Sequence, residues 1–144
     1  MNEQIKLDIR VPNETRYLAL IGKIGETMAQ TLRKYKGDRE ELAYHINLVL
    51  TEAMANAIQH ARTGAEQEEL HITITIHGNR MVIRVFDQGQ GFDIGKTPSL
   101  DQQPDEKYLM EHGRGIYIIR ALMDKVSYRR LDKGHVLEME KTLN

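Results

Sequence analysis

Three separated clusters in this chain have residue types and spacing suited to chemistry. The first is LVLTEAMANAIQHA at positions 48–61, where Glu52, Asn56 and His60 fall four apart. At 3.6 residues per turn, that spacing sets them on one stripe of a helix, with Ala, Leu, Ile and Met on the other side. A carboxylate one turn from a neutral amide suits two linked jobs. The amide oxygen is a hard ligand for Mg²⁺, and the carboxylate can accept a proton nearby. The same stripe also reads as a solvated helix face, with His60 favoured near the carboxyl end by the helix dipole.

The second cluster, VFDQGQG at positions 85–91, puts Asp87 directly after an apolar strand and follows it with Gly89 and Gly91. A carboxylate at a strand end accepts a hydrogen bond from an amine such as that of adenine, and glycines let backbone approach a ligand closely. A plain turn is the other reading. A calcium loop is disfavoured, because glycines stand where its oxygen ligands belong. The third cluster, HGRGIYII at positions 112–119, has Gly113-Arg114-Gly115 leading into a predicted helix. A glycine turn feeding a helix start presents N–H groups and a positive dipole end to a phosphate, or it is simply a turn.

Several other chemistries are excluded or weakened. No P-loop motif occurs, and Ile118 stands where a Rossmann fingerprint needs its third glycine. Ser99 and Ser127 are the only serines and neither lies in a nucleophile elbow. With no cysteine, thiolate metal sites and disulfides are excluded, which fits a reducing compartment. His71 and His77 share a strand face but lack a third ligand at useful spacing. Twenty basic residues against 21 acidic give a net charge of −1, so no global positive field exists to attract nucleic acid. Neither a basic leader followed by an apolar run nor 18 consecutive apolar residues occur, so a soluble cytoplasmic protein is expected, with no membrane partner.

The elements that must position these clusters follow from periodicity. At 144 residues, with 40% hydrophobic and 28% charged, the chain is expected to form one domain, residues 1–144. Ile5, Leu7, Ile9 and Val11 alternate with polar residues as a strand ended by Pro12. Asn13 is expected to cap a helix carrying Leu18, Ile21, Met28 and Leu32 inward until Gly37. Asp38 with Glu41 opens a second helix, with Leu42, Ile46, Val49, Leu50, Ala53 and Ala57 apolar, running to about His60. Alternation from Leu70 to Ile76 and again at 81–86, joined by Gly78-Asn79, predicts a hairpin. Positions 92–112 lack periodicity and read as a long, potentially functional loop. A helix over 115–124 and two strands over 126–130 and 136–143 complete a β α α β β loop α β β order. Short connections predict a two-layer α/β (α+β) sandwich, with a mixed, mainly antiparallel sheet covered on one face by helices.

Together the three clusters, in this order and setting, resemble the GHKL (Bergerat) nucleotide-binding fold of gyrase B, sensor histidine kinases and mismatch-repair ATPases. In that family they are the N box, the G1 box and the G2 box. TEAMANAIQHA, GRGIYIIRALMDKVSY and the chain length most resemble the small anti-sigma-factor serine/threonine kinases of the sigma-B and sporulation sigma-F type. The resemblance implies ATP and Mg²⁺ as cofactors. It makes Glu52 the general base, Asn56 the magnesium ligand and Asp87 the acceptor of the adenine amine. It implies further that Gly89 and Gly91 admit the nucleotide, that Gly113, Arg114, Gly115 and Ile116 close over the phosphates, that 92–112 is the lid and that His60 supports the site. The function implied is transfer of the γ-phosphoryl group to an anti-sigma-factor antagonist of the STAS type, in competition with a sigma factor, by a homodimer. The alternative is a non-catalytic nucleotide-dependent switch that sequesters a regulator. Two positions depart from the family pattern. Arg114 stands between the G2 glycines, and His135 follows Gly134 where many relatives have threonine.

Overall fold

The structure, a computed structural model, describes residues 4–59, 69–87 and 114–144. Among these residues five strands form one sheet: β1 (Gln4–Pro12), β2 (Glu69–His77), β3 (Arg80–Asp87), β4 (Lys125–Arg130) and β5 (His135–Thr142). Their spatial order is β1-β2-β3-β5-β4, and every pairing among them is antiparallel. Among the described residues, three α-helices, α1 (Leu18–Gln30), α2 (Arg39–Gln59) and α3 (Gly115–Leu122), supply the second layer.

Strict alternation makes the sheet two-faced. Leu70, Ile72, Ile74 and Ile76 of β2 and Met81, Ile83 and Val85 of β3 are buried, while the residues between them are half-exposed or exposed. The opposite face is polar, with ion pairs such as Arg84–Glu138 at 2.7 Å and Arg129–Glu138 at 3.5 Å running across strands. His71 lies there too, 2.9 Å from Asp8 and stacked on Phe86. The β2–β3 turn has φ of 64° at Gly78, and no non-glycine residue among those described has positive φ, which matches the glycine-first two-residue hairpin.

The second helix is the backbone of the site. Asp38 Oδ1 accepts from Glu40 N at 2.9 Å and Glu41 N at 3.3 Å, so it caps α2 as expected. All six apolar positions expected on α2 are buried, from Leu42 through Ala57. Its other neighbours are α1 along one flank and α3 along another.

The start and end of α1 differ from expectation. Asn13 caps nothing; its buried Oδ1 has no hydrogen-bond partner among the described residues. Instead Glu14 N bonds back to Pro12 O, a 3₁₀ turn covers Thr15–Tyr17, and the α-helix begins at Leu18. At the far end α1 stops at Gln30 rather than near Gly37. Thr31 N and Thr31 Oγ1 both donate to Met28 O, and Leu32 and Tyr35 continue with i to i−3 bonds, the tighter turns that end helices. Leu32 is still buried.

Candidate functional site

Half-buried Glu52 and Asn56 project from the second half of α2, on a stripe bordering buried Ala53, Met54 and Ala57. They stand one turn apart, as the four-residue spacing requires. Opposite them begins α3. A Cβ built on Gly115 would lie 3.0 Å from Glu52 Oε2 and 3.6 Å from both the Cβ and the backbone O of Glu52. Glycine at this position therefore lets the Glu52 carboxylate sit against the first turn of α3. That turn has N–H groups with no acceptor inside the helix and carries the positive end of the dipole. A carboxylate able to accept a proton and a helix start suited to an anion are thus brought side by side.

Around Gly115 the assigned residues divide. Arg114, at the N-cap with φ of −109° and ψ of 4°, is exposed and makes no capping bond through its side chain. Its carbonyl accepts the first helical bond, from Ile118 N at 2.9 Å. Ile116 is buried in the core, so its backbone alone is left to face a phosphate.

Asp87 ends β3 on the helix-covered face and is only 8% exposed. The sheet order sets it beside the start of β5, in register with His135. Tyr128 of β4 reaches the same spot, donating from its hydroxyl to Asp87 Oδ2 at 3.4 Å. His135 Nδ1 lies 3.9 Å from Asp87 Oδ1, and its ring stacks flat on Tyr128, centroids 5.1 Å apart and planes 2° apart. A buried carboxylate framed by an aromatic ring and an imidazole can hold a flat base by its amine.

The structure therefore brings Glu52 to Gly115, keeps Asn56 one turn along from Glu52, and gathers Tyr128 and His135 around Asp87. Gly89, Gly91, Gly113, His60 and the expected lid at 92–112 lie outside the described residues. Sequence reasoning missed Tyr128. Alternation along β4 hints only that Val126 and Tyr128 share a half-buried face, and says nothing of which strand end the Tyr128 hydroxyl reaches. Among the described residues no three His, Asp or Glu side chains converge as a metal cage. A cation here would draw most of its ligands from phosphate oxygens and water, the usual arrangement for Mg²⁺ at nucleotides.

A helix-covered antiparallel sheet, with a polar stripe on α2, a buried aspartate at a strand end and a glycine-led helix start, defines a nucleotide-binding ATPase fold. The histidine kinase-like ATPase domain family matches residues 12–141, and the chain belongs to that family. Among its relatives is the serine-protein kinase RsbW of Bacillus licheniformis, 30% identical over 142 residues, a match covering 96% of this chain and 86% of that protein. The RsbW of Bacillus velezensis is 28% identical over 148 residues, with the same coverage. A histidine kinase domain from the blue-light activated histidine kinase of Erythrobacter litoralis superposes with a TM-score of 0.55 at 18% identity, over 92% of this chain. The present chain spans 62% of that solved chain, and the similarity concerns the fold.

Proposed function

We propose that this chain is an ATP-dependent protein serine/threonine kinase whose single domain spans residues 1–144. Its substrate is an anti-sigma-factor antagonist of the STAS type, and in its other state it holds a sigma factor. It works in the cytoplasm as a homodimer. The observation that carries the transfer step is the Glu52 carboxylate packed against the glycine that opens α3. A pure binding switch has no use for a proton acceptor at the phosphate end of its site. The relatives named serine-protein kinase support the same reading.

The chemistry asks little covalent work of the protein. The substrate hydroxyl attacks the γ-phosphorus, its proton passes to Glu52, and the bond to the bridging oxygen breaks to leave ADP. Asn56 would supply an amide oxygen to a Mg²⁺ ion, whose charge would offset that of the phosphates. Asp87 accepts the adenine amine. Gly89 and Gly91 admit the base, while the backbone of Gly113, Arg114, Gly115 and Ile116 lies over the phosphates.

The test is incubation with ATP, Mg²⁺ and the candidate antagonist, followed by mass spectrometry of the antagonist. Phosphoserine or phosphothreonine on it, stable to acid, is the expected result. Nucleotide binding without phosphate on any antagonist tried would leave the non-catalytic switch in its place.

A further inference from the structure

His135 is half-buried, its side chain 17% exposed, and one of its ring nitrogens is left without a partner among the described residues. Its Nδ1 is shielded from solvent and has no hydrogen-bond partner among the described residues. Asp87 Oδ1, at 3.9 Å, is beyond hydrogen-bonding distance. Leaving such an atom unpaired is costly, so a natural reason to keep it is a ligand that pairs with it. The stack on Tyr128 fixes the plane of the ring, and the β3–β5 register fixes its place beside Asp87. The neighbouring carboxylate favours the tautomer that carries hydrogen on Nδ1. The ends of β3 and β5 then present a donor next to an acceptor.

We propose that His135 is a base-reading residue: its Nδ1–H donates to the ring nitrogen N1 of adenine while Asp87 accepts from the adjacent exocyclic amine. This rests on the nucleotide reading above and deepens it. Along that edge adenine offers an acceptor next to a donor, the complement of the His135–Asp87 pair. Guanine presents the reverse order, with a carbonyl facing the Asp87 carboxylate and an N–H facing the imidazole. The pocket reads two adjacent atoms of the base, and an analogue lacking either one leaves a buried group unpaired.

Equilibrium binding of ATP and of 1-deaza-ATP, in which N1 is replaced by a C–H, separates the possibilities. Wild-type protein is expected to bind ATP about tenfold more tightly than the deaza analogue, the size of one buried hydrogen bond. In His135→Phe, which keeps the stack on Tyr128 and removes the donor, the two ligands should bind alike, at the level of the analogue. The wild-type comparison needs no variant and stands even if His135→Phe fails to fold. Binding of both ligands within twofold by wild-type protein, or a tenfold preference kept by His135→Phe, overturns the role of His135 alone. Failure of wild-type protein to bind ATP at all overturns the nucleotide reading and this one with it.

Discussion

At the scale of single residues, the proposed function divides the site into groups that bind and one that transfers. Glu52→Ala should therefore keep nucleotide affinity within about threefold while lowering the transfer rate by about 10²–10⁴, the usual worth of a positioned base. Equal loss of binding and transfer, measured by nucleotide titration alongside single-turnover kinetics, would remove Glu52 from the base role. Gly115→Ala probes the same carboxylate from the other side. The added methyl would sit 3.0 Å from Glu52 Oε2, so the carboxylate must move aside. Folding should be nearly unaffected, since alanine suits a helix start and the displaced atom is the end of a side chain. Transfer should fall by at least about tenfold, because small misplacements at a reacting centre cost rate steeply. The polar residues of this site were legible because their spacing carries meaning by itself: Glu52 and Asn56 are one turn apart in any helix. Tyr128 was not, because its approach to Asp87 depends on β5 lying between β3 and β4, a pairing between segments far apart in sequence.

Among the elements, α1 packs against α2, the helix that carries Glu52 and Asn56. Gly22 and Gly25 of α1 face α2 at close range: a Cβ on Gly25 would lie 2.2 Å from Leu50 Cδ1 and 3.0 Å from Ile46 Cγ2, both in buried side chains. Gly25→Ala is expected to destabilise the protein by about 1–3 kcal/mol through overpacking, despite the better helix propensity of alanine. A denaturation midpoint equal to or above that of wild type would contradict this packing. A polar tie sits at the same seam, where Glu26 accepts from Asn47 Nδ2 at 2.7 Å and from Lys23 Nζ at 3.1 Å. The Asn47 bond, helped by Lys23, holds the Glu26 carboxyl below its ordinary value. A lowered folded-state value adds stability above the ordinary glutamate range and loses it as pH falls through the folded value. The gap in melting temperature between wild type and Glu26→Gln should accordingly narrow in acid, and a gap that widens there would refute the tie. Helix and strand interiors were readable from periodicity, as the buried apolar rows of α2, β2 and β3 attest. The ends of α1 were not, because Pro12, a 3₁₀ turn and the Thr31 back-bond set them through local hydrogen bonds that no periodic pattern reports. The approach of Gly25 to Leu50 was equally hidden, being a tertiary consequence of two helices packing.

For the molecule as a whole, the antiparallel order β1-β2-β3-β5-β4 places the end of β3 beside the start of β5 and leaves β1 and β4 as edges. Its helix layer then sets Glu52 against the start of α3, and in the proposed function the sheet would hold the base while the helices would hold the phosphates and the metal. A division of labour of this kind lets binding survive loss of transfer. No described helix is long and apolar enough to cross a membrane. Family membership and the RsbW relatives fit a protein that works on another protein through a bound nucleotide. The most direct measurement is γ-phosphoryl transfer from ATP to the cognate antagonist, followed by intact-mass spectrometry for wild type and Glu52→Ala in parallel. One phosphate per antagonist with wild type, and almost none with a variant that still binds ATP, is the expected result. Antagonist that stays unmodified by wild-type protein with ATP bound, or phosphorylation undiminished in Glu52→Ala, would contradict the assignment of this site as a kinase centre.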